Sequence, residues 1–421
     1  MKQGDQRTLL LLAVCAFASA ASMRLCDPLL PVFAREFDTT LSAAAATTTG
    51  FALAYGSTQL FFGPLGDRVG RLRVIVVAIA IAAASSGVCA IAPSLSLLIA
   101  ARVATGAFAA AAIPLSLGWI GDNVRFEDRQ PVLARYLIGQ MLGMTTGQVG
   151  GGVLADLIGW RFAFWAIALL FAGAAVMLYR SMRPPAAGVD AAGDAARSPL
   201  SSPSSSPSSA AAPAQPPAGF IRQSLGLATD RWALIVIGTV TLEGILLFGA
   251  VALVPSYLQR IFATSPSVAG TVSALFGLGG MFYAMNARRL ITRLGPAGLS
   301  RSGGFLFAAA MLVLILQPAW QPAIFATLLA GLGYYMLHNT LQTQATQLSP
   351  AARGAAIAWF ATGLWLGQGV GVSVAAAVAQ RHGFLLVFGA SALGLVVLGL
   401  GFGQALAARA REQARQRQSP A

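Results

Sequence analysis

Charged residues are scarce in this chain: Asp, Glu, Lys and Arg together make up 10% of its 421 residues, whereas 56% are hydrophobic. The mean hydropathy is +0.70. About a quarter of the residues of a typical soluble domain are charged, so this composition excludes a soluble protein. Apolar runs near the roughly 20 residues that a helix needs to cross a bilayer recur along the chain. The sequence therefore predicts a helical membrane protein.

Polar and charged segments separate these apolar runs, so the runs can be counted as individual helices. We predict an all-α membrane protein with twelve transmembrane helices in two pseudo-symmetric bundles of six. The predicted spans are 8–33, 41–62, 74–92, 97–120, 132–156, 160–180, 232–258, 268–287, 302–318, 321–346, 354–379 and 384–408.

Acidic residues are rarer still, with 14 Asp and Glu against 28 Lys and Arg. The excess of positive charge does not indicate a nucleic-acid partner, because the basic residues concentrate at alternate ends of the spans. This is the positive-inside pattern, and it places both termini in the cytoplasm. The exceptions are Arg35, Arg161, Arg260 and Arg381 outside, and Arg24 and Arg102 within the membrane.

Cysteine and histidine are almost absent, with three Cys and two His. Cys15, Cys26 and Cys89 lie in apolar spans at no metal-ligand spacing, and they give no disulfide framework. The sequence shows no nucleophile–base pair and no nucleotide-binding loop. We therefore expect no cofactor, no metal site and no enzymatic activity.

A Ser-, Pro- and Ala-rich stretch interrupts the apolar pattern over 181–230. Such a composition cannot bury a core, so it predicts a disordered cytoplasmic linker. The linker separates an N-terminal bundle, 1–180, from a C-terminal bundle, 231–408. Residues 409–421 form a basic cytoplasmic tail that we expect to contact anionic lipid headgroups.

The two bundles repeat one another. The fifth span carries glycines at every fourth residue, and the eleventh span carries a shorter copy; such stripes allow close helix packing. The sets are Gly139, Gly143, Gly147 and Gly151, and Gly363, Gly367 and Gly371. Gln148 and Gln368 follow equivalent glycines. Repeated halves are typical of transporters that work by alternating access.

The segment between the second and third spans reads Gly63-Pro64-Leu65-Gly66-Asp67-Arg68-Val69-Gly70-Arg71-Leu72-Arg73. Its ordered glycines and single acid resemble the signature loop of the major facilitator superfamily of transporters. By that resemblance, the loop governs the conformational cycle through Gly63, Asp67, Arg68, Gly70 and Arg71. A decayed copy follows the eighth span, where Thr292 replaces the acid and Arg293 and Gly295 match Arg68 and Gly70.

Further segments resemble the bacterial twelve-helix drug/proton antiporter branch of this family. They are 102–106 (RVATG), 159–162 (GWRF), Glu243-Gly244, 255–258 (PSYL) and 334–342 (YYMLHNTLQ). The resemblance implies a bacterial inner membrane, a small-molecule solute and protons as partners, and we expect a monomer. Gln148 departs from the Gly-Pro pair that this branch usually carries.

Two acids, Asp27 and Glu243, lie clearly within predicted spans. A charge at the centre of the bilayer costs about 3 kcal/mol or more, so such residues usually face a cavity or a partner. Glu243 has no base within one helical turn, and we expect an unpaired acid that couples transport to protons. The alternative is a neutral packing residue.

Asp27 lies one helical turn from Arg24 and at a depth similar to that of Arg102. It either forms a structural ion pair with Arg24 or takes part in a proton-linked switch with Arg102. The sequence leaves both alternatives open, and all four residues are candidates for proton coupling.

Polar and aromatic side chains at helical spacing predict a central substrate cavity. His338 titrates near pH 6.5 if unperturbed, and it is otherwise a packing residue. The candidates are Tyr136, Gln140, Tyr335, His338, Asn339, Gln342, Trp365 and Gln368.

These observations predict proton-coupled export of a small apolar or cationic solute. The alternative is a proton-linked importer of a small metabolite, which Gln148 and the polar tenth span favour. A membrane-embedded sensor or enzyme is a remote third possibility, because the sequence shows neither a catalytic cluster nor an output domain.

Overall fold

The fold was analysed in a computed structural model that describes residues 3–182, 220–348 and 353–418. Every regular element in these ranges is a helix. The N-terminal half contains α1 (Gln3–Arg24), a 3₁₀ turn (Asp27–Leu29), α2 (Leu30–Glu36), α3 (Leu41–Val69), α4 (Arg71–Ala90), α5 (Leu95–Ala109), α6 (Ala112–Asn123), α7 (Phe126–Leu157) and α8 (Trp160–Ser181).

The C-terminal half repeats this order, but its second and third spans form one continuous helical element. It contains α9 (Phe220–Thr229), α10 (Arg231–Glu243), a π-helical turn (Gly244–Phe248), α11 (Gly249–Val251), α12 (Val254–Phe262), α13 (Pro266–Leu316), α14 (Pro322–Thr346), α15 (Arg353–His382) and α16 (Phe384–Gln418). Helix α13 breaks at Gly295, whose φ of 61° and ψ of 174° are not helical, and its two arms are separate spans.

Among the described residues, eight helical stretches are long and apolar enough to cross a bilayer. One of the eight is α13, which supplies two spans. Helices α3, α7 and α14 are long enough but more polar, and they complete the twelve. The predicted architecture of twelve helices in an all-α membrane protein is confirmed.

The segment 63–73 is a helical corner in which the loop between the two helices is a single residue. Helix α3 continues to Val69 and α4 starts at Arg71, so Gly70 alone reverses the chain. Gly70 has a φ of 100°, a backbone conformation that residues with a Cβ rarely adopt. The corner therefore holds the charged residues at fixed positions.

The predicted linker also needs correction. Residues 183–219 lie outside the described residues, but 220–229 form α9, an amphipathic helix that begins the C-terminal half. Its Leu227 is buried against Ala233, Ala355 and Ala356. The basic tail differs as well, because α16 continues through it to Gln418. Alternating Ala, Arg and Gln are good helix formers, which explains this extension.

The glycine stripes lie at helix contacts in both halves. Helix α7 packs on α1 so closely that a Cβ added at Gly143 or Gly147 would overlap a carbonyl oxygen of α1, and one at Gly151 would overlap the carbonyl oxygen of Leu25, the residue directly after α1. Helix α15 packs in the same way on α10 and the π-helical turn through Gly367 and Gly371. These approaches bring the first helix of each half against its fifth helix, which positions the buried acids described below.

The two halves meet along α7 with α13 and along α3 with α15. We call the end of the molecule that carries Gly70 the terminal end, and the end that carries Glu36 the opposite end. Three pairs of hydrogen-bonded residues join the halves at the opposite end: Leu41 N donates to Gln380, Gln259 donates to Pro28 O, and Ser267 N donates to Asp156. These contacts close the opposite end.

Candidate functional site

Glu243 and His338 form a buried pair in the C-terminal half. His338 Nδ1 lies 2.8 Å from Glu243 Oε2, and the exposed fractions of the two residues are 8% and 0%. Glu243 ends α10 directly before the π-helical turn, and His338 lies on α14. The prediction that Glu243 lacks a partner is therefore wrong, because its partner comes from a helix 95 residues further along the chain.

Aromatic rings enclose this pair. The imidazole of His338 stacks on Tyr334 with 4.8 Å between ring centroids, and Phe360 lies 5.4 Å away. The second carboxyl oxygen of Glu243, Oε1, is buried and has no hydrogen-bond partner. The carboxyl and the imidazole therefore share one hydrogen bond in a buried site beside aromatic rings.

Asp27 is the buried acid of the N-terminal half. The 3₁₀ turn after α1 carries it, and Arg24 donates to its Oδ2 over 3.1 Å. Gln148 of α7 donates to the same oxygen over 3.3 Å. Of the two alternatives left open by the sequence, the structure shows the pair with Arg24. Gln148, which stands where the related branch has proline, holds this acid.

Arg102 is completely buried but contacts other groups. It donates to the Ser22 hydroxyl over 3.2 Å and to Thr47 O over 3.4 Å. Its guanidinium also lies 4.1 Å from the centre of the Phe51 ring. The predicted switch between Asp27 and Arg102 is therefore not formed in this conformation: Nε and Nη1 of Arg102 donate to Thr47 and Ser22, and its Nη2 has no hydrogen-bond partner.

Arg24 connects the two acidic centres. Its guanidinium lies 4.6 Å from the centre of the Phe248 ring, across the boundary between the halves. Phe248 ends the π-helical turn and contacts Tyr334 edge to face at 5.4 Å, and Tyr334 stacks on His338. A continuous line of contacts thus runs from Asp27 through Arg24 and two rings to the pair in the C-terminal half.

The predicted cavity residues occupy different environments. Trp365 lies between Phe248 and Tyr55, with ring centroids 6.5 and 5.2 Å away. The other predicted cavity residues differ in burial. Tyr136 and Gln368 are buried, whereas Gln342 is exposed. The partly buried ones are Gln140, Tyr335 and Asn339. The structure brings His338, Trp365 and Tyr335 close to the line of contacts and places Gln342 outside it.

The corner at Gly70 is held by one arginine. Arg71 lies across Gly118 of α6, where a Cβ would overlap its guanidinium. It pairs with Asp67 at 3.1 Å and with Asp122 at 3.0 Å. The sequence motif contains Asp67 and Arg71 but not Asp122, which only the Gly121-Asp122-Asn123 end of α6 could have suggested. Arg71 thus ties α3, α4 and α6 together at the terminal end.

We expect Asp67→Asn to slow the conformational cycle without abolishing solute binding. The acid is exposed, and exposed ion pairs contribute about 0.2–1 kcal/mol, so a rate reduction of about 1.4- to five-fold follows. Asp122→Asn should act similarly, and the double variant more strongly because Arg71 then has neither acid. Transport rates in proteoliposomes measure the effect, with Asp38→Asn as a control at the opposite end. An unchanged rate in the double variant would show that the corner only sets topology.

The fold and this site can now be compared with known proteins. The sequence profile of the Major Facilitator Superfamily matches residues 12–352 and 236–421, so the chain belongs to this superfamily of transporters. This confirms the resemblance seen in the sequence.

Two relatives illustrate the sequence similarity. A putative uncharacterized transporter of Escherichia coli K12, YgaY, is 31% identical over 177 residues, which are 41% of this chain and 44% of that protein. The multidrug resistance protein B homolog of Mycobacterium tuberculosis is 27% identical over 320 residues, which cover 66% of this chain and 57% of that protein. The matched region thus spans only about half the length of these relatives.

Solved structures share the fold over nearly the whole chain. A bacterial homolog of the human lysosomal transporter Spinster, inward-facing and occupied, gives a TM-score of 0.74 at 17% identity and covers 97% of this chain and 98% of that one. The nucleoside transporter NupG, as a D323A mutant, gives 0.74 at 12% identity and covers 94% and 98%. At such identities the likeness shows the fold alone.

Proposed function

We propose that this transporter is coupled to protons and exports a small apolar or cationic solute across the bacterial inner membrane. The observation that carries the proposal is a buried carboxyl in each half, each hydrogen-bonded to a basic side chain: Asp27 to Arg24, and Glu243 to His338. Proton-coupled transport needs groups that change protonation when the accessible side changes, and intramembrane acids serve this role.

The line of contacts between the centres supports coupling of protons to movement. Arg24 belongs to the N-terminal half and Phe248 to the C-terminal half, so a relative movement of the halves changes their distance. The same guanidinium donates to Asp27, so a movement that draws it away from this carboxyl weakens the attraction between them. Proton uptake and opening are therefore linked in this proposal.

Names given to relatives support export. The M. tuberculosis relative is called a multidrug resistance protein, and a Floropilus chiversii relative, 26% identical over 159 residues, is called an efflux pump. Aromatic rings around the central residues suit flat apolar or cationic solutes. A proton-linked importer is the second candidate, favoured by the hydrogen bond from Gln148 to Asp27 and by the polar residues of α14.

The experiment uses purified protein in liposomes that enclose a pH-sensitive dye, with ethidium as the cationic probe. With the interior acidic, we expect ethidium to accumulate inside and to accelerate proton loss from the interior. Accumulation without proton movement would contradict coupling. Proton movement that accompanies small metabolites but never ethidium or an apolar probe would favour the importer.

Orientation is a separate prediction. The Lys and Arg bias places the terminal end, both termini and the segment 181–230 in the cytoplasm. Protease added outside intact spheroplasts should therefore leave the segment uncut, whereas the same protease should cut it in inverted membrane vesicles. Cleavage within 190–220 in spheroplasts would reverse the orientation and the proposed direction.

A further inference from the structure

One buried side chain in the centre of the molecule has no partner for either of its polar atoms. Gln368 of α15 is 1% exposed, and neither its amide oxygen nor its amide nitrogen makes a hydrogen bond. Leaving buried donors and acceptors unpaired is costly, and native proteins rarely tolerate it without a reason. A glutamine that only filled space would be replaced at no cost by an apolar residue of similar size.

The repeated half shows what the equivalent residue does when it is paired. Gln148 follows Gly147 as Gln368 follows Gly367, and both helices pack through these glycines on the first helix of their half. Gln148 is 5% exposed and donates to Asp27. In the N-terminal half Gln148 thus donates a hydrogen bond to an acid, whereas in the C-terminal half the amide of Gln368 makes no hydrogen bond.

Gln368 lies beside the most irregular part of the C-terminal half. An added Cβ on Gly244, the first residue of the π-helical turn, would be 3.0 Å from the backbone nitrogen of Gln368. Single π-helical turns occur frequently at functional sites. Trp365, one turn before Gln368, stacks on Phe248 at the end of that turn, with rings 20° from parallel. The unpaired amide of Gln368 and the rings of Trp365 and Phe248 therefore all lie beside the π-helical turn.

We propose that Gln368, Trp365 and Phe248 form the solute subsite of the C-terminal half, and that this subsite takes a neutral, flat aromatic group with a hydrogen-bond donor and acceptor on its edge. This inference rests on the transport function proposed above and narrows its solute class. A primary carboxamide matches Gln368, because two side-by-side amides exchange two hydrogen bonds.

The positive charge of Arg24 beside the Phe248 ring is the reason that the aromatic group of the solute should be neutral. The guanidinium of Arg24 already lies over Phe248, so a cation brought to the same ring meets a like charge. A neutral ring can stack on Trp365 and Phe248 without this repulsion. A solute that carries a positive charge therefore keeps it away from this subsite.

Benzamide tests the inference, with acetophenone, which lacks the N–H donor, and benzamidine, which is a cation of the same shape, as comparisons. Melting temperatures of the purified protein are measured in detergent without any pH gradient. We expect benzamide to raise the melting temperature of the wild type in a saturable way and the other two compounds to raise it less. Equal shifts from all three would overturn the subsite.

Gln368→Leu separates this role from a structural one. Without solute, the variant should melt about 2 °C higher or more, because two unpaired polar atoms are removed, and it should lose the benzamide shift. Gln148→Leu is the matched control and should melt lower, because Asp27 loses a donor. A lower melting temperature of Gln368→Leu, or a benzamide shift that persists in it, would contradict the proposal. Neither result depends on proton coupling, which the ethidium experiment tests alone.

Discussion

Glu243→Gln should abolish the accumulation of solute driven by a pH gradient while leaving downhill exchange partly intact. The amide keeps the size of the side chain and a hydrogen bond to His338 Nδ1, so packing changes little. It removes the carboxyl that takes up and releases the proton in the proposed function. Solute flux in proteoliposomes, with and without an imposed pH gradient, measures the two activities separately.

Glu36→Gln is the matched control for this substitution. It makes the same chemical change at an exposed ion pair with Arg161 at the opposite end, and exposed pairs contribute little. We expect it to accumulate solute like the wild type. If Glu243→Gln also concentrates solute against a gradient, Glu243 is a packing residue and protons enter elsewhere.

Asp27→Asn should impair gradient-driven and downhill transport alike. The substitution leaves the guanidinium of Arg24, which is 3% exposed, without its counter-charge. Breaking a buried ion pair from one side typically costs about 3–5 kcal/mol. We therefore expect a clearly lower melting temperature in detergent together with loss of both fluxes.

The double variant Arg24→Gln/Asp27→Asn distinguishes stability from coupling. Without either charge, the buried site needs no counter-ion, so the melting temperature should recover most of the loss. Gradient-driven accumulation should stay absent because the acid is missing. If accumulation returns with stability, Asp27 is a structural partner of Arg24, which is the alternative that the sequence left open.

The number and type of spans could be predicted because each one is a local property of composition. The twelve-helix architecture and the family follow from apolar runs, from alternating positive charge and from the motif around Asp67. The lengths of α3 and α16 were underestimated because both helices continue beyond the apolar runs, through charged residues that also favour helix. The apolar run in the sequence covers only the part of such a helix that lies in the bilayer, and the helix itself continues beyond it.

Pairing across the bundle could not be predicted from a single sequence. His338 and Glu243 are 95 residues apart, and no spacing rule connects α10 with α14. Arg24 and Asp27 differ, because three residues along one chain bring side chains together and the pair was one of two stated alternatives. Gln148 departs from the pattern of the related branch, but its bond to Asp27 depends on how closely α7 packs on α1.

The hydrogen bonds that close the opposite end have a consequence for how this protein evolves. In two of them a glutamine side chain on one half meets a main-chain atom on the other: Gln380 binds Leu41 N, and Gln259 binds Pro28 O. Almost any residue at position 41 keeps the same amide, and any residue at position 28 keeps the same carbonyl. Substitutions there need no matching change across the interface. In this chain, either half can therefore change at positions 28 and 41 without a correlated replacement of the glutamine across the interface.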